Sequence, residues 1–193
     1  MWHSYTEHEI FKVKEWITLS IEQLIQKDNN LLNPSKIKSA FRIEGQKDLN
    51  REVHETTINH RLARYLEDYL GQYGFEEYYC DIEYNRYINN RKMVFSLKTH
   101  QQIEVRPDII IHKRERIDEP IPHLLVIEAK KYSTTDKDRN HIHDLMWDNN
   151  YQYKYGLLIS YYVVNETINC ELLTLNDGRF IKHIFGVSKQ KTN

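Results

Sequence analysis

The sequence predicts a mixed α/β domain in which helices pack on a central sheet. Three patterns carry that expectation. Apolar residues recur at three- and four-residue steps in two long stretches near the start, and they alternate at two-residue steps through the middle and the end. One short run, Leu124-Leu125-Val126-Ile127, is apolar on both faces, as a strand in the centre of a sheet must be. A length of 193 residues, 40% of them hydrophobic and 28% charged, suits one domain, or one domain with a small appendage, and is ample for a hydrophobic core.

Taken in order, residues 1–33 read as helical. Ile10, Val13, Ile17, Ile21, Leu24 and Ile25 share one face, and Asn-Asn and Asn-Pro close the segment. A connector at 34–50 follows, with Gly45 as its breakpoint and Lys36, Lys38, Arg42 and Lys47 on a solvated face. Residues 50–70 form a second helix, striped by Val53, Ile58, Leu62, Tyr65, Leu66 and Tyr69 and ended by Gly71. After Gly74 the period changes. Residues 78–87 alternate Cys80, Ile82 and Tyr84 against Asp81, Glu83 and Asn85, the pattern of a half-buried strand. Asn89-Asn90 reads as a turn, 93–97 as a short strand, and 101–112 as a longer strand whose alternation is broken by Pro107. A loop at 113–123 contains Pro120 and Pro122. The buried strand at 124–127 is followed by a mostly polar helix at 134–150 and another buried strand at 156–163. Residues 167–175 and 179–185 bracket Asn176-Asp177-Gly178, a hairpin turn signal.

Composition narrows the function classes. Two cysteines, Cys80 and Cys170, exclude a disulfide scaffold and a cysteine-based zinc site, and make a reducing cytoplasm the expected compartment. The start, MWHSYTEHE, has neither the basic nor the apolar region of a signal peptide. The nearly apolar stretch at 155–164 is about half of what a membrane span requires. With 27 Lys+Arg against 28 Asp+Glu, the net charge of −1 argues against a molecule coated in positive charge. Total charge averages over the surface, however, whereas binding depends on where the charge sits.

Three features converge on one chemistry. Arg106-Pro107-Asp108 lies in the middle of a strand and holds the chain's one Pro-Asp pair. Glu128-Ala129-Lys130 directly continues the most buried strand, and it is the chain's one acidic-x-Lys triplet. Glu55 lies on the second helix, with Glu52 one turn earlier. Residues two apart on a strand point to one face, so Glu128 and Lys130 share a side. Burying a lone carboxylate or ammonium costs several kcal/mol, so charges here need partners, a metal or water at a cleft. If the strand of Asp108 pairs with that of Glu128, two carboxylates and an ammonium meet at one end of the sheet. Such carboxylates repel unless a cation lies between them, and hard oxygen ligands suit Mg²⁺ or Mn²⁺. The competing reading is a plain ion pair between Glu128 and Lys130 at a strand terminus.

The order of helix Glu55, Pro107-Asp108, Glu128-Ala129-Lys130, helix and strand resembles the PD-(D/E)xK nuclease superfamily, which includes many restriction endonucleases and repair resolvases. The resemblance covers roughly residues 50–163. The stretches HRLARYLEDYL, CDIEYNR, RPDIIIHKR and LLVIEAKKY look like a group of uncharacterised bacterial members. It implies a restriction-endonuclease-like core, αβββαβ, with residues 50–193 as the nuclease-like domain and 1–49 as an N-terminal helical extension. The C-terminal β-hairpin falls outside the core pattern. The implied activity is Mg²⁺-dependent endonuclease chemistry, with Mn²⁺ able to substitute. Asp108, Glu128 and the backbone carbonyl of Ala129 would hold the metal, and Glu55 would reach it through water or bind a second ion. Lys130 would orient and help activate the attacking water and stabilise charge on the phosphate. Cuts leaving a 5′-phosphate, DNA as substrate, and a role in restriction or phage defence, as a homodimer or within a larger defence complex, follow from the same resemblance. The alternative is an inactive module of this fold that binds nucleic acid or a protein partner. A dead member would be expected to lose Asp108, Glu128 or Lys130, and all three are present.

Other residues are less sharply placed. ETTINHRLA aligns better through Glu55 than Glu52, whose charge also suits a helix start. Glu83 is an extra acid at the site or a salt-bridged strand residue. Arg86, Arg91 and Lys92, and likewise His112, Lys113, Arg114 and Arg116, are basic strand or loop ends able to contact phosphates. Among these, Arg86, Lys113 and Arg114 are the candidate nucleic-acid contacts. His141 and His143, two apart on a helix, make a poor metal pair. Tyr151, Tyr153 and Tyr155 suit core packing better than base stacking. On charge balance, affinity for nucleic acid without metal should be modest and strongly salt-dependent.

Overall fold

The computed structural model describes residues 5–32, 53–83, 86–87, 90–114, 123–161 and 167–188. The expected connector at 34–50, Glu52, Asn89 of the expected turn, and Arg116 in its loop lie outside the described residues. So do the side chains of Arg86 and Arg91.

Helix α1 runs Glu7–Lys27 and is followed by the single turn α2, Asn29–Leu32. Thr6 starts α1 with a reciprocal cap: its hydroxyl accepts the Glu9 N–H at 3.1 Å, and the Glu9 carboxylate accepts the Thr6 N–H at 2.9 Å. Helix α3, Glu55–Asp68, packs across α1, and the Trp16 indole donates to the Leu66 carbonyl at 3.0 Å. The apolar faces of α1 and α3 bury Trp16, Ile17, Ile21, Ile58, Leu62 and Leu66 against Ile109, Ile111, Leu125, Ile127, Leu157 and Ile159 of the sheet. The first helix thus shares one core with the second helix and the sheet.

The strands are β1 (Tyr79–Ile82), β2 (Arg86–Tyr87), β3 (Asn90–Arg91), β4 (Met93–Phe95), β5 (Gln102–Glu104), β6 (Ile109–His112), β7 (Leu125–Lys130), β8 (Tyr155–Ser160), β9 (Thr167–Asn176) and β10 (Arg179–Ser188). Six form one mixed sheet in the order β1-β6-β7-β8-β9-β10, in which β7 and β8 run parallel and the other neighbours antiparallel. A parallel pair needs a crossover, and helix α4, Asp136–Trp147, supplies it. Its Ile142, Leu145 and Met146 cover the second face of the sheet at Ile110, Val126, Leu158 and Leu173. Gly156 lies directly beneath α4: a Cβ there would lie 2.2 Å from the Ile142 Cγ2. The expected α/β class, a mixed sheet flanked by helices, is what the chain forms.

Two elements depart from the sequence reading, each for a local reason. The strand expected at 78–87 stops at Ile82, because Glu83 takes a left-handed backbone (φ 47°) that a strand cannot continue through. The strand expected at 101–112 is two strands. Pro107 has no N–H to give a ladder, so β5 pairs with β4 in a separate small sheet while β6 joins the main one. At the C-terminus, Asp177 (φ 47°) and Gly178 (φ 76°) make the hairpin turn, and β9 and β10 extend the main sheet. Among the described residues no helix is long and apolar enough to cross a membrane, and Cys80 and Cys170 are free thiols.

Candidate active site

The site forms where β6 starts and β7 ends. The antiparallel register pairs Ile109 with Ile127, so one step further Asp108 faces Glu128 and Pro107 faces Ala129. Asp108 and Glu128 lie on the same face of the sheet as Ile110 and Val126, the face that α4 covers. Backbone direction adds a second consequence. The Ala129 N–H points toward β6, since it donates to Asp108 Oδ2 at 2.8 Å. The carbonyl of the same residue points the same way. Its partner in a continued ladder would be the N–H of residue 107, which proline does not have. The Pro-Asp pair therefore stops the ladder where it leaves the Ala129 carbonyl toward the site, and substitutes a carboxylate for the next backbone acceptor.

Lys130 stands at the focus. Its Nζ lies 3.0 Å from Asp108 Oδ2, 3.5 Å from Glu55 Oε1, 3.6 Å from Glu128 Oε2 and 3.9 Å from Asp138 Oδ1. Glu55 opens α3 on the opposite face of the sheet, and it reaches over the end of β7 to accept the Lys131 N–H at 2.9 Å. Asn59, one turn further along α3, accepts from the buried Tyr161 hydroxyl at 2.8 Å and ties the start of α3 to the end of β8. Asp138, 8% exposed, belongs to the first turn of α4. Its Oδ2 is occupied by the Thr135 N–H and hydroxyl, both at 2.7 Å, which leaves Oδ1 toward Lys130.

Four carboxyl groups thus surround one ammonium. Glu128 is 5% exposed, and burial together with the charge of Asp108 pushes its pKa up to about 7, while His141, with Nδ1 3.9 Å from Glu128 Oε1, opposes the rise. Burial alone would lower the Lys130 pKa, but Asp108, Glu128 and Glu55 outweigh it and raise it, so the amine stays charged. Among the described residues no group of three or more His, Cys, Asp and Glu side chains forms a ready-made metal cage; the Lys130 ammonium sits among the carboxyls instead. The donor chemistry nevertheless fits a hard divalent cation. Carboxylates on facing strands, a neighbouring carbonyl without a ladder donor and a surplus of acid over base are what such an ion takes.

Asp108, Glu128, Lys130, Ala129 and Glu55 are therefore brought together, and Glu83 lies nearby. The Glu83 N–H donates to the Asp108 carbonyl at 3.0 Å, and its carboxylate takes the Thr56 hydroxyl at 3.3 Å and Arg106 at 3.7 Å, the salt-bridged alternative. Lys113 and Arg114 are not brought there. They follow the other end of β6, where Lys113 pairs with Glu77 at 2.5 Å and Arg114 with Asp81 at 2.6 Å. Lys92 is buried with its Nζ 3.0 Å from the Tyr153 hydroxyl, and Tyr151, Tyr153 and Tyr155 are core residues. Asp138 and His141 also reach the site: motif reading passed over the first and weighed the second only as a metal partner of His143. They lie three apart on α4 and so share a face. His143 points elsewhere and stacks on Phe180 with ring centres 3.7 Å apart. In comparisons with protein-family models and with curated proteins, the chain matched no family model and no curated sequence.

Proposed function

We propose that this chain is a divalent-metal-dependent nuclease that hydrolyses phosphodiester bonds in DNA, built on a restriction-endonuclease-like core. The observation that carries the reading is the meeting of Asp108 and Glu128 in register across β6 and β7, with Lys130 Nζ 3.0 and 3.6 Å from them and Glu55 closing the group from the other face. Asp108, Glu128 and the Ala129 carbonyl would hold Mg²⁺ or Mn²⁺, with Glu55 contacting it through water. When bound, the ion lowers the pKa of a water and offsets charge on the phosphate. The acids around Lys130 keep its amine protonated, so it serves as a hydrogen-bond donor that orients the attacking water and stabilises the phosphate's developing charge. The buried bond between Tyr161 and Asn59 fixes the start of α3 and with it Glu55.

The test is cleavage of supercoiled plasmid, linear duplex, single-stranded DNA and RNA with Mg²⁺, Mn²⁺ or EDTA. Metal-dependent cutting of DNA that disappears in Asp108→Ala and Lys130→Ala supports the reading. Cutting that persists in both variants overturns the site assignment. Tight, metal-independent binding with no cutting replaces the nuclease with a binding module of the same fold.

A further inference from the structure

We infer that the Lys130 ammonium is a built-in competitor for the cation proposed to bind between Asp108 and Glu128, and that Asp138 receives it when the cation enters. The inference rests on the metal site proposed above and concerns how that site is guarded. Lys130 does more than flank the two strand acids. Its Nζ takes the same Asp108 oxygen that accepts the Ala129 N–H, and it lies 3.6 Å from Glu128 Oε2. A cation shared by these two carboxyls would stand beside the ammonium, and like charges at such separation in a half-buried site repel strongly. Either the ion stays out or the ammonium moves.

Among the described residues, the surroundings offer the ammonium one place to go. Lys130 ends its strand with a side chain 28% exposed, so its four-carbon stem has room to swing. Glu55 is committed through Oε2 to the Lys131 N–H and belongs to the proposed metal contacts. Asp138 is different. It comes from α4 and not from β6 or β7, its Oδ2 is locked by Thr135, and Oδ1 faces Nζ at 3.9 Å, the longest of the four separations. It is a rigid anion beside the strand acids, placed to take a displaced ammonium. The motif lysine and a capping aspartate thus form a two-position latch, which sets a metal threshold for activity.

Mn²⁺ binding, read from the electron paramagnetic signal of the free ion and from the rise in melting temperature with Mn²⁺, tests this without any cleavage measurement. Lys130→Met removes the competitor and is expected to bind Mn²⁺ about tenfold more tightly than the parent. Lys130→Arg keeps the charge and is expected to keep the weaker affinity. Asp138→Asn retains an oxygen for the Thr135 cap and is expected to weaken binding several-fold, but to have no effect once Lys130 is Met. Equal or weaker binding by Lys130→Met overturns the inference and leaves the metal site standing. An Asp138→Asn loss that persists in the Lys130→Met background makes Asp138 a general source of negative charge and overturns its role as receiver. If neither the parent nor Lys130→Met binds Mn²⁺, the proposed metal site falls as well.

Discussion

Strand β6 has a charged cluster at each end, and the two differ in how they balance burial with charge. Beyond its last residue, Lys113 pairs with Glu77, and Arg114 pairs with Asp81, which also accepts from His112 Nε2 at 2.7 Å. Burial pushes the Asp81 carboxyl up, but the hydrogen bonds from Arg114 and His112 outweigh it and hold the pKa below the ordinary value. Before its first residue, Asp108, Glu128, Glu55 and Asp138 share Lys130, and there burial wins at Glu128, whose pKa rises to about 7. Desolvation acts on both ends in the same direction. Deeper burial of Glu128, whose side chain is 7% exposed against 20% for Asp81, and the nearby charge of Asp108 tip the outcome there, while two basic groups bond Asp81 directly. One cluster is complete in itself, and in the other four carboxyls gather around Lys130 with His141 beside Glu128.

The largest difference should appear in activity. Asp108→Ala is expected to lower plasmid cleavage about 10³-fold, while Asp81→Ala at the complete end should leave it within about twofold. Equal losses would break the distinction.

Stability against pH should separate the two ends next. Folded Glu128 holds its proton up to about pH 7, whereas in the unfolded chain it releases it near 4.5. Between these values unfolding therefore releases a proton, and stability falls as pH rises, by roughly 3 kcal/mol at most. Glu128→Gln should abolish that slope and be more stable than the parent at pH 7.5. Asp81 has the opposite sign: its contribution is present above the ordinary carboxyl pKa and is lost as pH falls through its lowered value. Urea unfolding followed from pH 2 through 5 to 7.5 measures both.

Smaller effects follow from the elements that frame the site. At Gly156, an alanine Cβ would meet Ile142 at 2.2 Å and the Met146 sulfur at 2.8 Å. Gly156→Ala should push α4 off β8, cost about 2 kcal/mol and carry Asp138 and His141 away from the acids, lowering cleavage along with stability. Tyr161→Phe leaves the Asn59 oxygen without its buried donor and should cost about 1 kcal/mol. Its mark would be a few-fold loss of cleavage through Glu55, readable as a weaker response to Glu55→Gln in the Tyr161→Phe background.

The sequence was most legible where chemistry and period collide. Charges that directly continue Leu-Leu-Val-Ile had to lie at a strand end, and Glu128 and Lys130 do. Pro107 announced a break in its strand, although not that the two halves join different sheets, because pairing depends on partners distant in the chain. Asp138 and His141 were harder to find. On a mostly polar helix they resemble solvated residues, and the crossover alone turns that face of α4 to the sheet. Lys113 and Arg114 look like free basic loop ends until the β1–β6 register sets Tyr79 opposite His112 and brings Asp81 and Glu77 within reach. Helix α1 reads as an extension when its stripe is viewed alone. Its core partner, α3, begins beyond a long connector, so their shared packing is a tertiary fact.

The interrupted ladder at Pro107 also gives the molecule an internal reporter. Along the middle of β7, amide protons are held by neighbouring backbone and exchange with solvent only when the sheet opens. At Ala129 and Lys131 the backbone partner is replaced by Asp108 and Glu55, so each of these protons is retained by one acid of the site. Their deuterium exchange rates would therefore record, separately for the two acids, when each carboxylate turns away to another partner. The amides of residues 129 and 131 would time events at the site in the folded protein, with no attached probe and no substrate.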